Sequence, residues 1–318
     1  MLNRVADALF WIGRYMERAE NHTRLINTVY HLSTQRSKRN DIAHWQHLLR
    51  LIGNENDFLN SYSEVNESNV LHYVTLRADN HNSIRSCVHI ARNNMRQLRE
   101  KMPSECWDTL NSLYLWMNEQ TVNDINAETP FIFYKKIQDQ LNSFQGTLYA
   151  TMMREREFDF IESGKYLERA DNGLRMLQAI HFSLLVEKPK SDYPSMLALL
   201  KAVNGYESFR RVYSDRISMQ SVVEFSMLHP SFPRSTCYAL SVLEKHLRRL
   251  VPPKNSSSFL HNKVLSHLGK VRGELLCLDQ SQFTTECLGD HLLHLIDNCD
   301  LIGIMIDRHF FHEEVVSA

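Results

Sequence analysis

Glutamate, aspartate and arginine recur in one short register of this 318-residue chain, as Gly13, Glu17, Glu20 and Arg24 and again as Gly164, Glu168, Asp171 and Arg175. On a helix turning about 100° per residue, each set falls within about 60° and forms a single row: small, acidic, acidic, basic. Such a row can pair internally, hold a polar ligand or, if burial keeps a carboxyl protonated, exchange a proton with a substrate. Leu9, Ile12, Met16, Ala19, Thr23, Ile26 and Tyr30 take a neighbouring broad face, the one a helix buries. The charged row thus lies beside a packed seam, where a carboxylate needs a cation. Glu20–Arg24 and Asp171–Arg175 are i,i+4 pairs of favourable orientation. Two readings follow: an ion-pair network that only joins helices, or two rows converging on a shared cleft that holds a polar ligand.

The rows belong to a longer internal repeat. Gly13-Arg14-Tyr15-Met16-Glu17-Arg18-Ala19-Glu20-Asn21-His22-Thr23-Arg24 returns, 151 residues on, as Gly164-Lys165-Tyr166-Leu167-Glu168-Arg169-Ala170-Asp171-Asn172-Gly173-Leu174-Arg175. Two copies of one helical unit, about 1–150 and 151–318, are expected to pack about a pseudo-two-fold axis within a single domain spanning 1–318. Glycine at the head of each row costs about 1 kcal/mol of helix propensity, which a close helix crossing or ligand approach would offset. A second landmark, Ser83-Ile84-Arg85-Ser86, is matched to Pro233-Arg234-Ser235. At helix starts, Arg85, Ser86, Arg234 and Ser235 would offer cations and free backbone N–H groups to an anion.

Helical periodicity fills most windows and strand-like alternation is almost absent, so the class is all-α, a large helical bundle. Long helices are expected over 2–34, 84–102, 131–157, 158–186, 256–278 and 282–311. Shorter ones are expected over 41–52, 61–76, 195–203 and 218–227, with linkers at 188–194 and 251–253. The first long helix, about 48 Å at 1.5 Å per residue, suits a central strut.

Thirty-six basic against 37 acidic residues leave a formal charge of −1, which gives no long-range pull toward nucleic acid or membrane surfaces. No signal peptide and no uncharged apolar run of about 18 residues is visible, and the six cysteines form no C-x-x-C pair. They read as reduced core thiols of a cytoplasmic protein. No glycine-rich phosphate loop and no Glu-x-x-His motif occurs, so neither a nucleotide cofactor nor a di-iron centre is expected. Asp41 with His44 and His47, His291 with His294, and His309 with His312 have ligand-like spacings, but exposed polar positions explain them more simply and no metal is expected.

At these residues the chain resembles the alpha-E proteins, an all-helical bacterial family. The resemblance is carried by Arg4-Val5-Ala6-Asp7-Ala8-Leu9-Phe10-Trp11-Ile12 leading into the first row, by Asp79-Asn80, Asn82-Ser83-Ile84-Arg85-Ser86 and Ala91-Arg92-Asn93-Asn94. Tyr166-Leu167-Glu168-Arg169-Ala170-Asp171 and Phe232-Pro233-Arg234-Ser235 complete it, and His81 stands where the family often has proline. The resemblance implies association with a circularly permuted ATP-grasp ligase and a transglutaminase-like peptidase in peptide synthesis or modification. It leaves three roles to weigh: an accessory protein that binds and presents a peptide or amino acid, an enzyme using Glu17 or Glu168 as general acid or base, and a scaffold.

Overall fold

A computed structural model describes residues 3–34, 41–53, 55–127, 129–187, 191–250, 258–279, 283 and 287–311. The described residues form fifteen helices and no strand. They are α1 (Asn3–Thr34), α2 (Asp41–Ile52), α3 (Glu55–Ser61), α4 (Glu67–Thr75), α5 (Ile84–Arg96), α6 (Ser104–Glu119), α7 (Val122–Ala127) and α8 (Pro130–Thr151). After these come α9 (Arg156–Glu187), α10 (Tyr193–Ala202), α11 (Tyr206–Tyr213), α12 (Met219–Leu228), α13 (Thr236–Arg249), α14 (Ser258–Leu276) and α15 (Leu288–Phe310).

The two longest helices, α1 and α9, pack against each other more extensively than any other pair. Two glycines make this possible. A Cβ on Gly13 would stand 2.0 Å from the Ile161 carbonyl oxygen, and one on Gly164 would stand 2.0 Å from that of Phe10. No side chain fits there, so the backbones touch and the glycines' lost helix propensity is offset by close packing. Around this axis α1 packs on α5 and α8 while α9 packs on α13 and α15; α6 joins α5 to α8, and α14 joins α13 to α15. In addition α2 lies across α1 onto α9, and α10 lies across α9 onto α1.

Local signals set most boundaries. Ser83 and Ser235 cap α5 and α13 by accepting from the N–H of Ser86 and Tyr238, and Thr129 caps α8 with Pro130 in its first turn. The expected helix over 61–76 starts later, as α4, because Asn66 turns extended and its side chain accepts from Asn69 N, and α3 before it was not expected. Helix α5 stops at Arg96 rather than running to 102, and α8 ends at Thr151 with a short break before α9. The sequence reading lacked α11, which follows Asn204 in a left-handed conformation (φ 51°). Cys87, Cys106, Cys237 and Cys299 are buried as expected, whereas Cys277 and Cys287 are exposed.

Among the described residues no helix is long and apolar enough to cross a membrane. No group of three His, Cys, Asp or Glu residues there could hold a metal. The side chains of Asp41 and His44, all of His312 and the linker segments 188–190 and 251–253 lie outside what is described.

Candidate functional site

One turn beyond the glycine crossing, each long helix presents a glutamate to the other's arginine. Arg169 donates through Nε and Nη2 to the two carboxylate oxygens of Glu17, both at 2.7 Å. In return Arg18 donates through Nε to Glu168 Oε1 at 2.6 Å and through Nη2 to Oε2 at 3.1 Å. Both are bidentate guanidinium–carboxylate pairs, the strong geometry for a charge-assisted hydrogen bond. The backbone contact at Gly13 and Gly164 is what brings the side chains within reach.

The two pairs have different surroundings. On the Glu17 side, Arg234 from the turn before α13 donates Nη1 to Glu17 at 3.2 Å and Nη2 to both oxygens of Glu20 at 2.9 Å. Arg24 lies with Nε 2.8 Å from Glu20 Oε1, an ion pair too bent for a hydrogen bond, and donates Nη1 to the Ala202 carbonyl at 3.0 Å. Lys165, buried, donates to Gln145 Oε1 at 3.0 Å and Glu162 Oε1 at 3.2 Å, and Glu162 also accepts a short hydrogen bond from the Tyr149 hydroxyl. Between α1, α8 and α9 lies a cleft of about 260 Å³, whose walls include Glu17, Glu20, Lys165, Arg169, Arg234, Asn142, Gln145 and Tyr149.

On the other side, Glu168 accepts from Arg14 Nε at 2.7 Å as well as from Arg18, and Arg18 Nη1 donates to Asn82 Oδ1 at 2.9 Å. Asp171 accepts from Arg175 Nε at 2.8 Å, and Arg175 reaches on to Asp300 of α15 at 3.1 Å. Glu168, Asp171 and Arg175 do not line the cleft. The rows predicted from the sequence therefore do not share one cavity: Glu17 and Glu20 face it, Arg24 stands behind Glu20, and the second row ties α9 to α1 and α15.

The expected anion site divides in the same way. Arg234 reaches the cleft, but Arg85 donates to Asn118 Oδ1 at 3.0 Å on α6. Ser86 Oγ donates to the Ala78 carbonyl at 3.2 Å, and Ser235 Oγ donates to that of His229 at 2.6 Å while capping α13. The serines are occupied by the turns that start their helices. Ser83 and Ser235 are both N-caps; Arg234 immediately precedes its cap, as Asn82 does, whereas Arg85 lies in the first turn of α5.

The electrostatics follow from burial and from these partners. Burial opposes ionisation of Glu17, but the Arg169 and Arg234 charges outweigh it and hold the carboxyl far below its usual range. Burial likewise opposes ionisation of Glu168, yet Arg14 and Arg18 bring it down to about 2. The raised carboxyl that a general acid or base would need is not found at either glutamate. Burial raises Asp171, with Arg175 partly compensating. Burial also lowers Lys165, against the pull of Glu162.

A family model described as "a predicted alpha-helical domain with a conserved ER motif", named Alpha-E, matches residues 1–311. The chain belongs to the Alpha-E family. No curated protein and no solved structure matches it. In this Alpha-E chain the Glu-Arg dipeptides Glu17-Arg18 and Glu168-Arg169 have the composition that the description names, and each glutamate is paired by the other dipeptide's arginine.

Arg14, Arg18, Lys165 and Arg169 were not singled out from the sequence, because they lie about 100° round the helix from the acidic rows. The repeat held the signal: arginine is identical at 18 and 169, and both 14 and 165 are basic. Asn142, Gln145 and Tyr149 had none, since α8 lies outside the matched segments.

Proposed function

We propose that this Alpha-E protein is an accessory, non-catalytic binding protein that holds a peptide or amino acid and presents it to an ATP-grasp amide-bond ligase, in a cytoplasmic peptide synthesis or modification system that includes a transglutaminase-like peptidase. The observation that carries the reading is the cleft beside the α1–α9 crossing, small and walled by preorganised charged and amide side chains. Convergent polar groups at a concave site suit orientation of a small polar ligand. Turnover is disfavoured because Glu17 and Glu168 are both held ionised by arginine. The reciprocal packing of α1 with α5 and α8, and of α9 with α13 and α15, supports descent from two tandem copies of one unit.

The second cluster favours a structural reading for its own residues: Glu168 is buried between Arg14 and Arg18 and does not line the cleft. The test separates the two clusters. The ligase should co-purify with the chain, and its ATP consumption with candidate peptides should rise when the chain is added. Glu20→Gln should abolish that rise at a temperature where circular dichroism shows the variant folded, and, because Glu20 is buried between Arg24 and Arg234, it should also lower the melting temperature. If Glu20→Gln stimulates the ligase as well as the unaltered chain does, or if no ligase binds, the presenting role is wrong.

A further inference from the structure

The ion clusters on the two sides of the crossing differ in charge. Away from the cleft, Glu168 meets Arg14 and Arg18, and a separate, partly exposed group joins Asp171 and Asp300 to Arg175, together three acids against three bases. At the cleft, Glu17, Glu20 and Glu162 meet Arg24, Lys165, Arg169 and Arg234, three against four. The extra cation is Arg234, in the place before the N-cap serine that Asn82 takes on the balanced side. An unmatched buried charge is strongly disfavoured unless something neutralises it. The cations register this: burial lowers Lys165, and burial together with the Arg234 charge lowers Arg24 to about 10.

One negative charge entering the cleft would balance the cluster. Lys165 is placed to receive it, because its ammonium has three donors and, after Gln145 Oε1 and Glu162 Oε1, only the distant Glu162 Oε2 at 3.5 Å remains. The volume, about 260 Å³, is just under the roughly 300 Å³ at which drug-sized pockets begin, so the ligand is small. A dianionic phosphate would overshoot the excess, whereas a carboxylate matches it. We propose that the cleft takes a monoanionic carboxylate of amino-acid size, gripped by Lys165 and Arg234. This rests on the cleft being a ligand site, and it names the group on the ligand that the cleft reads.

The test is calorimetric titration of the full chain with N-acetylated neutral amino acids, which are monoanions, each as the free acid and as its C-terminal amide, and with inorganic phosphate. At least one free acid should bind saturably and its amide at least tenfold more weakly. Arg234→Asn, which copies the balanced side, and Lys165→Gln should each weaken the acid at least tenfold, with circular dichroism confirming that both variants stay folded. An amide that binds as well as its acid overturns the carboxylate while leaving the ligand site standing. Binding of phosphate but of no free acid also overturns it. If nothing binds, the ligand site and the carboxylate fall together.

Discussion

Glu17 and Glu168 are the same residue in two copies of one motif, yet removing their charges should cost different things. Glu168→Gln leaves Arg14 and Arg18 facing a neutral amide in a closed cluster, and stripping one partner from a buried ion pair costs about 3–5 kcal/mol. We expect a loss of about 3 kcal/mol in urea unfolding, against less than 1 kcal/mol for Asp300→Asn, whose carboxylate is 53% exposed. Acid should act through two separate windows. The Glu168 carboxyl binds its proton less readily folded than unfolded, so its stabilisation is complete above pH 4.5 and is lost as pH falls toward about 2. His22 works at milder pH. Burial and the Arg18 charge lower its imidazole from 6.5 to about 4, so between those values the unfolded chain takes up a proton that the folded one refuses. Stability should fall by about 3 kcal/mol as pH drops through that window. In His22→Gln the slope between pH 6.5 and 4 should flatten, and an unchanged slope would show that His22 is not held neutral.

The helix crossing decides which residues can meet, and its glycines are where the sequence spoke most clearly. A repeated Gly at the head of two matched rows pointed to a close approach, and Gly13 and Gly164 supply it. Gly13→Ala should gain up to about 1 kcal/mol of helix propensity and lose more, because the new Cβ must push apart two backbones in contact. A net loss of about 2 kcal/mol is expected for Gly13→Ala and for Gly164→Ala. Gly269→Ala, with nothing within 4 Å of the new methyl group, should stabilise α14 by up to about 1 kcal/mol. Thermal melts of the three variants check this, and a Gly13→Ala chain melting with or above the unaltered one would refute the backbone contact. The long helices and the i,i+4 pairs Glu20–Arg24 and Asp171–Arg175 were legible because both depend on local spacing. What local spacing could not show was the partner across the gap. Arg169 meets Glu17 only because two helices cross at one angle, and Arg234 reaches Glu20 from 214 residues away. The late start of α4 was hidden for a different reason: Asn66 reads as a tolerable helix residue until its side chain is seen capping.

Over the whole chain, the order of packing makes the two halves depend on each other. The most extensive interface joins α1 of the first half to α9 of the second, and the transverse helices α2 and α10 each lie partly on the opposite half's long helix. A separated first half would expose the side of α1 that carries Gly13, with Glu17 losing Arg169 and Arg234, both supplied by the second half. The second half alone would leave Glu168, buried in the whole chain, without Arg14 and Arg18. Each fragment would thus combine exposed apolar surface with an unpaired carboxylate that the complete chain buries, a combination that disfavours cooperative folding. Cutting in the short break between α8 and α9, within Met152–Glu155, interrupts no helix. Fragments 1–154 and 155–318 made separately should therefore show helical circular dichroism but broad, non-cooperative melting. Mixed at equal concentration, they should elute as a one-to-one complex with a sharp transition. Glu168→Gln in the second fragment should weaken the reassembly at least tenfold, since the buried pairs it breaks all cross the new interface. If either fragment melts sharply by itself, the crossing joins two independent units, and the cleft beside it is an interface between domains rather than a feature of one core.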